Sequence, residues 1–131
     1  MKLLLDTHVW LWSLLEPARL TRRVARALED QANELWLSPI SVWELLILVE
    51  KGRVTLDEDL EQWILRAIQA AALKQAPITH EVALETHNVL LPHRDPADRF
   101  LVATAKVFDL TLVTADRHLL ALHGLLTLPN R

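Results

Sequence analysis

Lys2-Leu3-Leu4-Leu5-Asp6 constrains this chain most: an unbroken apolar run that stops on a carboxylate. Strands with water on one face alternate apolar and polar residues, whereas a continuous run belongs to a strand covered on both faces, as in a parallel sheet between helical layers. Leu112-Val113-Thr114-Ala115-Asp116 repeats the pattern near the other end. Two buried strands, each ending on an acid, point to an α/β fold with carboxylates along the carboxyl edge of its sheet.

The rest of the chain reads as strands and helices in alternation. Helices are expected over 9–15 and 21–31, with Thr21 as the cap of the second and Arg22, Arg23 and Arg26 on its solvated face. Leu35-Leu37 reads as a strand. Ser38-Pro39 then opens a helix running to Lys51, where Gly52 terminates it. Between Asp57 and Leu73 the apolar residues recur at helical spacing. A strand is expected at 76–78, a helix from Thr79 to Leu90, a break at Pro92–Pro96, a helix over 97–108, a strand at 110–114, a short helix after Asp116 and a strand at 125–128. This alternation predicts a Rossmann-like three-layer α/β/α sandwich with a mostly parallel central sheet, formed by residues 1–131 as one domain.

With 131 residues, 51% of them hydrophobic, the chain can bury one sizeable core. It has no cysteine, which removes disulfides and thiolate metal sites and fits a reducing cytoplasm. Its longest wholly apolar run, Leu45–Val49, is far short of the roughly 20 residues of a membrane span, so no membrane association is expected. Fourteen basic against seventeen acidic residues give a net charge of −3. Nucleic acid would therefore have to be held by local arginines and bound cations rather than by global charge.

In open α/β sheets ligands sit beyond the carboxyl ends of the strands. Asp6, Glu44, Asp95, Asp98 and Asp116 all fall at or near that edge. Each has a bland explanation: Asp6 and Asp116 as helix caps, Ser41-Val42-Trp43-Glu44 as a capping box, and Asp95-Pro96-Ala97-Asp98 as cap, first-turn proline and third-position acid. Ser, Thr and Asn would cap as well without mutual repulsion, however, and clustered anions destabilise a fold unless cations neutralise them. Carboxylate oxygens are the donors that hard divalent cations select, which makes Mg²⁺ or Mn²⁺ the expected occupant. Thr7 and Thr114 are placed to orient neighbouring acids. Arg94, Arg99 and Arg117 flank them as phosphate contacts or local ion pairs. His8, His93 and His118 lack zinc-ligand spacing. The five tryptophans, at 10, 12, 36, 43 and 63, read as core or subunit interface rather than as a stacking surface. The helix around Glu44 is apolar on nearly all sides, so a partner protein or second subunit is expected against it.

Leu4-Leu5-Asp6-Thr7-His8, Ser41-Val42-Trp43-Glu44-Leu45, His93-Arg94-Asp95-Pro96-Ala97-Asp98-Arg99-Phe100 and Leu112-Val113-Thr114-Ala115-Asp116-Arg117-His118 together resemble PIN-domain ribonucleases, specifically VapC-type toxins of toxin–antitoxin pairs. Four motifs in order, spanning nearly the whole chain, make the resemblance specific. It implies a Mg²⁺-dependent endoribonuclease whose acidic quartet falls on Asp6, Glu44, Asp98 and Asp116, with Asp95 as an additional acid and Ser41 as a supporting residue. It also implies homodimers and a cognate antitoxin that blocks the groove. Three other readings compete. A phosphatase with Asp6 as nucleophile lacks the second acid two residues on. A binding module would hold a structural cation without catalysis. A related nuclease could cut DNA or flap structures with the same acids.

Overall fold

The structure, a computed structural model, describes residues 1–92 and 95–131. Its centre is a five-stranded, wholly parallel sheet in the order β3-β2-β1-β4-β5, formed by β1 Lys2–Leu5, β2 Glu34–Leu37, β3 Lys74–Gln75, β4 Thr111–Thr114 and β5 Thr127–Pro129. Seven α-helices among the described residues cover it: α1 Thr7–Leu15, α2 Arg22–Glu29, α3 Pro39–Glu50, α4 Leu60–Ala70, α5 His80–Glu85, α6 Pro96–Val107 and α7 Arg117–Leu120. None is long and apolar enough to cross a membrane.

The buried runs behave as their composition demands. Leu3, Leu4 and Leu5 all lie inside, but they alternate between two cores because successive strand side chains point to opposite faces. Leu3 and Leu5 join Val9, Trp10, Val24, Leu45, Ile64 and Val113 on the side of α1 to α4. Leu4 and Leu112 join Val82, Val102, Ala103 and Leu119 under α5 to α7. This is the expected three-layer sandwich.

Order in the sheet reverses between β1 and β4. From β1 the chain builds outward through β2 to β3, then returns to place β4 on the other flank, with Leu5 opposite Val113. The backbone amide of Asp6 extends this pairing by donating to Val113 O at 3.0 Å. Loops leaving β1 and β4 therefore diverge at the switch point and open a crevice between them.

Three local expectations are corrected. The third strand lies at Lys74–Gln75 rather than 76–78: Ala72 turns the end of α4 with φ 51°, the chain meets β2 at once, and Pro77 has no amide to continue the ladder. The helix expected to reach Leu90 ends at Glu85 and tightens into a 3₁₀ turn over Thr86–Asn88. Ser38, not Ser41, caps α3, accepting from the Ile40 amide at 3.1 Å. The capping-box explanation of Glu44 thereby falls.

Candidate active site

Thr114 is the last residue of β4, and its hydroxyl straps two of the acids together. It donates to Asp6 Oδ2 at 2.6 Å and accepts from the Asp116 backbone amide at 3.1 Å. Asp6 occupies the cap position of α1, yet its carboxylate makes no capping bond; it is buried and turned to Thr114 instead. Burial pushes its pKa up, outweighing the opposing pull of the Thr114 bond and of His8.

Thr7 performs the equivalent service for Glu44. Its Oγ1 donates to Glu44 Oε1 at 2.5 Å and lies 2.8 Å from Ser41 Oγ, so the first turn of α1 and the start of α3 are stitched by three side chains. Burial raises the Glu44 pKa, and Asp6 and Asp95 add to the rise. Asp95 caps α6 by accepting from the Ala97 amide at 3.0 Å, with Pro96 in the first turn. Asp116 caps α7, accepting from the His118 amide at 2.8 Å. For these two acids the capping explanation holds, and each still borders the crevice.

Asp98 is raised as well. It stands in the first turn of α6, where the helix dipole favours a negative charge by about 0.3–1 kcal/mol. Its pKa nevertheless rises from 3.8 to about 7, first through burial and then through repulsion from Asp95, Asp6, Asp116 and Glu44. All four other acids act on this one carboxyl group, and together they overwhelm the dipole.

The five carboxylates line one open cavity of about 520 Å³, with His8, Trp12, Arg19 and Ala115 completing its wall. No three described His, Asp or Glu residues stand in a ready-made arrangement for holding a metal ion. The donor chemistry fits a hard divalent cation: carboxylate oxygens in excess, with burial disfavouring the charged forms of Asp6, Glu44 and Asp98.

Of the arginines expected near phosphate, Arg99 donates to Thr86 O at 3.5 Å and does not line the cavity, while Arg117 is exposed on α7. Arg94, with His93, lies outside the described residues. The arginine that does line the cavity, Arg19, escaped sequence reasoning because it enters from the 3₁₀ turn Pro17–Arg19, which no local pattern ties to the sheet edge. Trp12, expected in the core or a subunit interface, packs against the core and also walls the cavity; its spacing from His8 along one face of α1 is the sequence signal for that second place.

The chain belongs to the PIN domain family, whose match spans residues 3–125. Among individual relatives, it is 39% identical over 119 residues to Ribonuclease VapC22 of Mycobacterium tuberculosis, covering 88% of each chain. Solved structures with the same fold include a chain of VapBC2 from Rickettsia felis bound to a DNA fragment from their promoter, with a TM-score of 0.73 at 16% identity and 98% of each chain covered. DNA-bound VapBC from Salmonella typhimurium gives a TM-score of 0.67 at 14% identity, covering 100% of this chain and 99% of the other.

Proposed function

We propose that this chain is a VapC-type toxin, a metal-dependent endoribonuclease that hydrolyses RNA phosphodiester bonds, with Mg²⁺ as its usual ion and Mn²⁺ as a substitute. The observation that carries the reading is that five carboxylates from distant parts of the chain line one cavity at the switch point. The printed name of VapC22 supports the activity.

Asp6, Glu44, Asp98 and Asp116 are the ligands in this reading, with Asp95 at the rim. A divalent cation bound there supplies Lewis acidity and lowers the pKa of water. The protein's share of the chemistry is positional. Thr114 aims Asp6 and fixes the start of the Asp116 turn; Thr7, backed by Ser41, aims Glu44. Asp98, with its pKa of about 7, is partly protonated near neutrality until positive charge arrives, so cation binding and proton release from Asp98 are linked.

A cognate antitoxin and a second copy of this chain are the partners in this reading. The solved relatives are VapBC pairs, and α3 leaves Trp43 half exposed on an apolar helix. The DNA or flap nuclease and the non-catalytic module remain as the contrasts that the test separates.

Purified protein, beside an Asp6→Asn control prepared identically, is incubated with total cellular RNA and with single-stranded DNA in Mg²⁺, Mn²⁺ or EDTA. Discrete RNA cuts by the wild type alone, lost in EDTA, are expected, with Asp6→Asn lowering the rate at least about 100-fold. Cuts confined to DNA, or equal cutting by the control, would overturn the reading.

A further inference from the structure

Trp12 and Arg19 line the cavity without a role in the acid-centred chemistry. The Arg19 guanidinium lies over the Trp12 ring, 4.3 Å from its centroid, and His8 flanks the same indole at 6.0 Å. Arg19 also meets Glu16 at 3.4 Å, a solvent-exposed pair too weak to fix a long side chain by itself. Its backbone is held from a distance. Buried Asn130 donates to Arg19 O at 3.1 Å and accepts from the Thr21 amide at 2.8 Å, while its own amide donates to Thr114 O at 2.9 Å. Arg131 donates to Ala115 O at 3.0 Å. The residues after β5 thus clip the Arg19 turn to the strand that carries Thr114, and the aromatic–cation pair is mounted on the same frame as the acids.

His8 and Trp12 also line a second cavity, of about 260 Å³, together with Glu16, Leu48 and Arg53. Arg53 reaches it through the end of α3. Gly52 adopts φ 72°, its amide donates to Val49 O, and the Arg53 amide donates back to Leu48 O at 2.9 Å, reversing the chain with the geometry of a Schellman motif. The two cavities share the His8–Trp12 wall: five carboxylates and Arg19 lie in the first, and Arg53 with Glu16, the partner of Arg19, in the other.

We infer that His8, Trp12, Arg19 and Arg53 form a nucleotide subsite beside the carboxylates, a track for single-stranded RNA in which an unpaired base stacks on the Trp12–Arg19 platform and the neighbouring phosphates meet the two arginines. The inference rests on the ribonuclease reading and deepens it. An acidic cavity repels the phosphates flanking the one being cut, so cations supplied by the protein must hold them, and the two arginines on these contiguous cavities stand where such cations are needed. A platform of indole and guanidinium accepts any base by its flat face, but only if that base is out of a duplex stack.

The test uses a fluorescein-labelled 20-nucleotide single-stranded RNA of mixed sequence, bound in Mg²⁺ to Asp6→Asn protein so that it stays intact, with wild-type cleavage of total cellular RNA measured in parallel. Adding Arg19→Gln or Trp12→Leu is expected to weaken binding roughly 5- to 100-fold, and Trp12→Phe to retain it within about threefold. Adding Arg53→Gln is expected to reduce the slope of log affinity against log salt by about 0.7, the signature of one lost phosphate contact on a single strand. Arg19 is exposed, so Arg19→Gln decides the matter should Trp12→Leu fail to fold. Arg19→Gln affinity unchanged within twofold, with the wild type cutting total cellular RNA, overturns the subsite alone; a wild type that leaves total cellular RNA intact in Mg²⁺ and Mn²⁺ overturns the ribonuclease reading and the subsite with it.

Discussion

Asp98 shows how a single residue reports on the site around it. Its folded-state pKa of about 7 lies above the ordinary 3.8, so folding disfavours its charged form. The stability tied to that shift is fully present below pH 3.8 and is lost as pH rises towards and through 7. Metal-free protein therefore loses stability over that window, and Asp98→Asn, which cannot ionise, flattens the loss; urea titrations in EDTA at pH 5 and pH 8 are expected to show the variant gaining on the wild type at the higher pH. Thr114 gives a second prediction at this scale. Thr114→Val keeps the shape but leaves the buried Asp6 carboxylate without its donor, at a cost of about 1–3 kcal/mol in urea unfolding and a fall in cleavage, while Thr114→Ser restores both. That Asp6, Glu44, Asp98 and Asp116 would share a site was legible in the sequence, because each stands where an apolar run or a helix start meets the sheet edge. Arg19 was not: its place depends on a buried asparagine more than a hundred residues away, and such long-range clips leave no local pattern.

At the scale of elements, β1 and β4 were readable because a strand covered on both faces must be apolar throughout, and a sheet edge must stop that run with something polar. Leu4 tests the packing behind this. It is fully buried between β1 and the α5–α7 layer, so Leu4→Ala is expected to cost about 2–5 kcal/mol of stability, measured by denaturant unfolding. The short edge strand β3 was misplaced because its exposed Lys74 and Gln75 carry no burial signal; only the meeting with β2 makes them a strand. Ser41 misled for a different reason. Its spacing to Glu44 matches a capping box, but Ser38-Pro39 starts the helix one turn earlier, which frees Ser41 and Glu44 to engage Thr7 from another helix.

Across the whole molecule, the parallel sheet and the acid cavity are one consequence of one topology. Reversal of strand order between β1 and β4 separates their outgoing loops, and Asp6 and Asp116 lead into those loops; α3 and α6 then bring Glu44, Asp95 and Asp98 to the same opening. The acids repel one another in that opening, a cost that a bound cation converts into affinity. The most direct check is a Mn²⁺ binding isotherm, read from the electron paramagnetic resonance of the free ion, on wild type, Asp6→Asn and Asp98→Asn at pH 8. Saturable binding by the wild type, weakened at least about tenfold in each variant, is the predicted result; isotherms that do not saturate, or that are the same in all three proteins, would contradict a cation site built from these carboxylates.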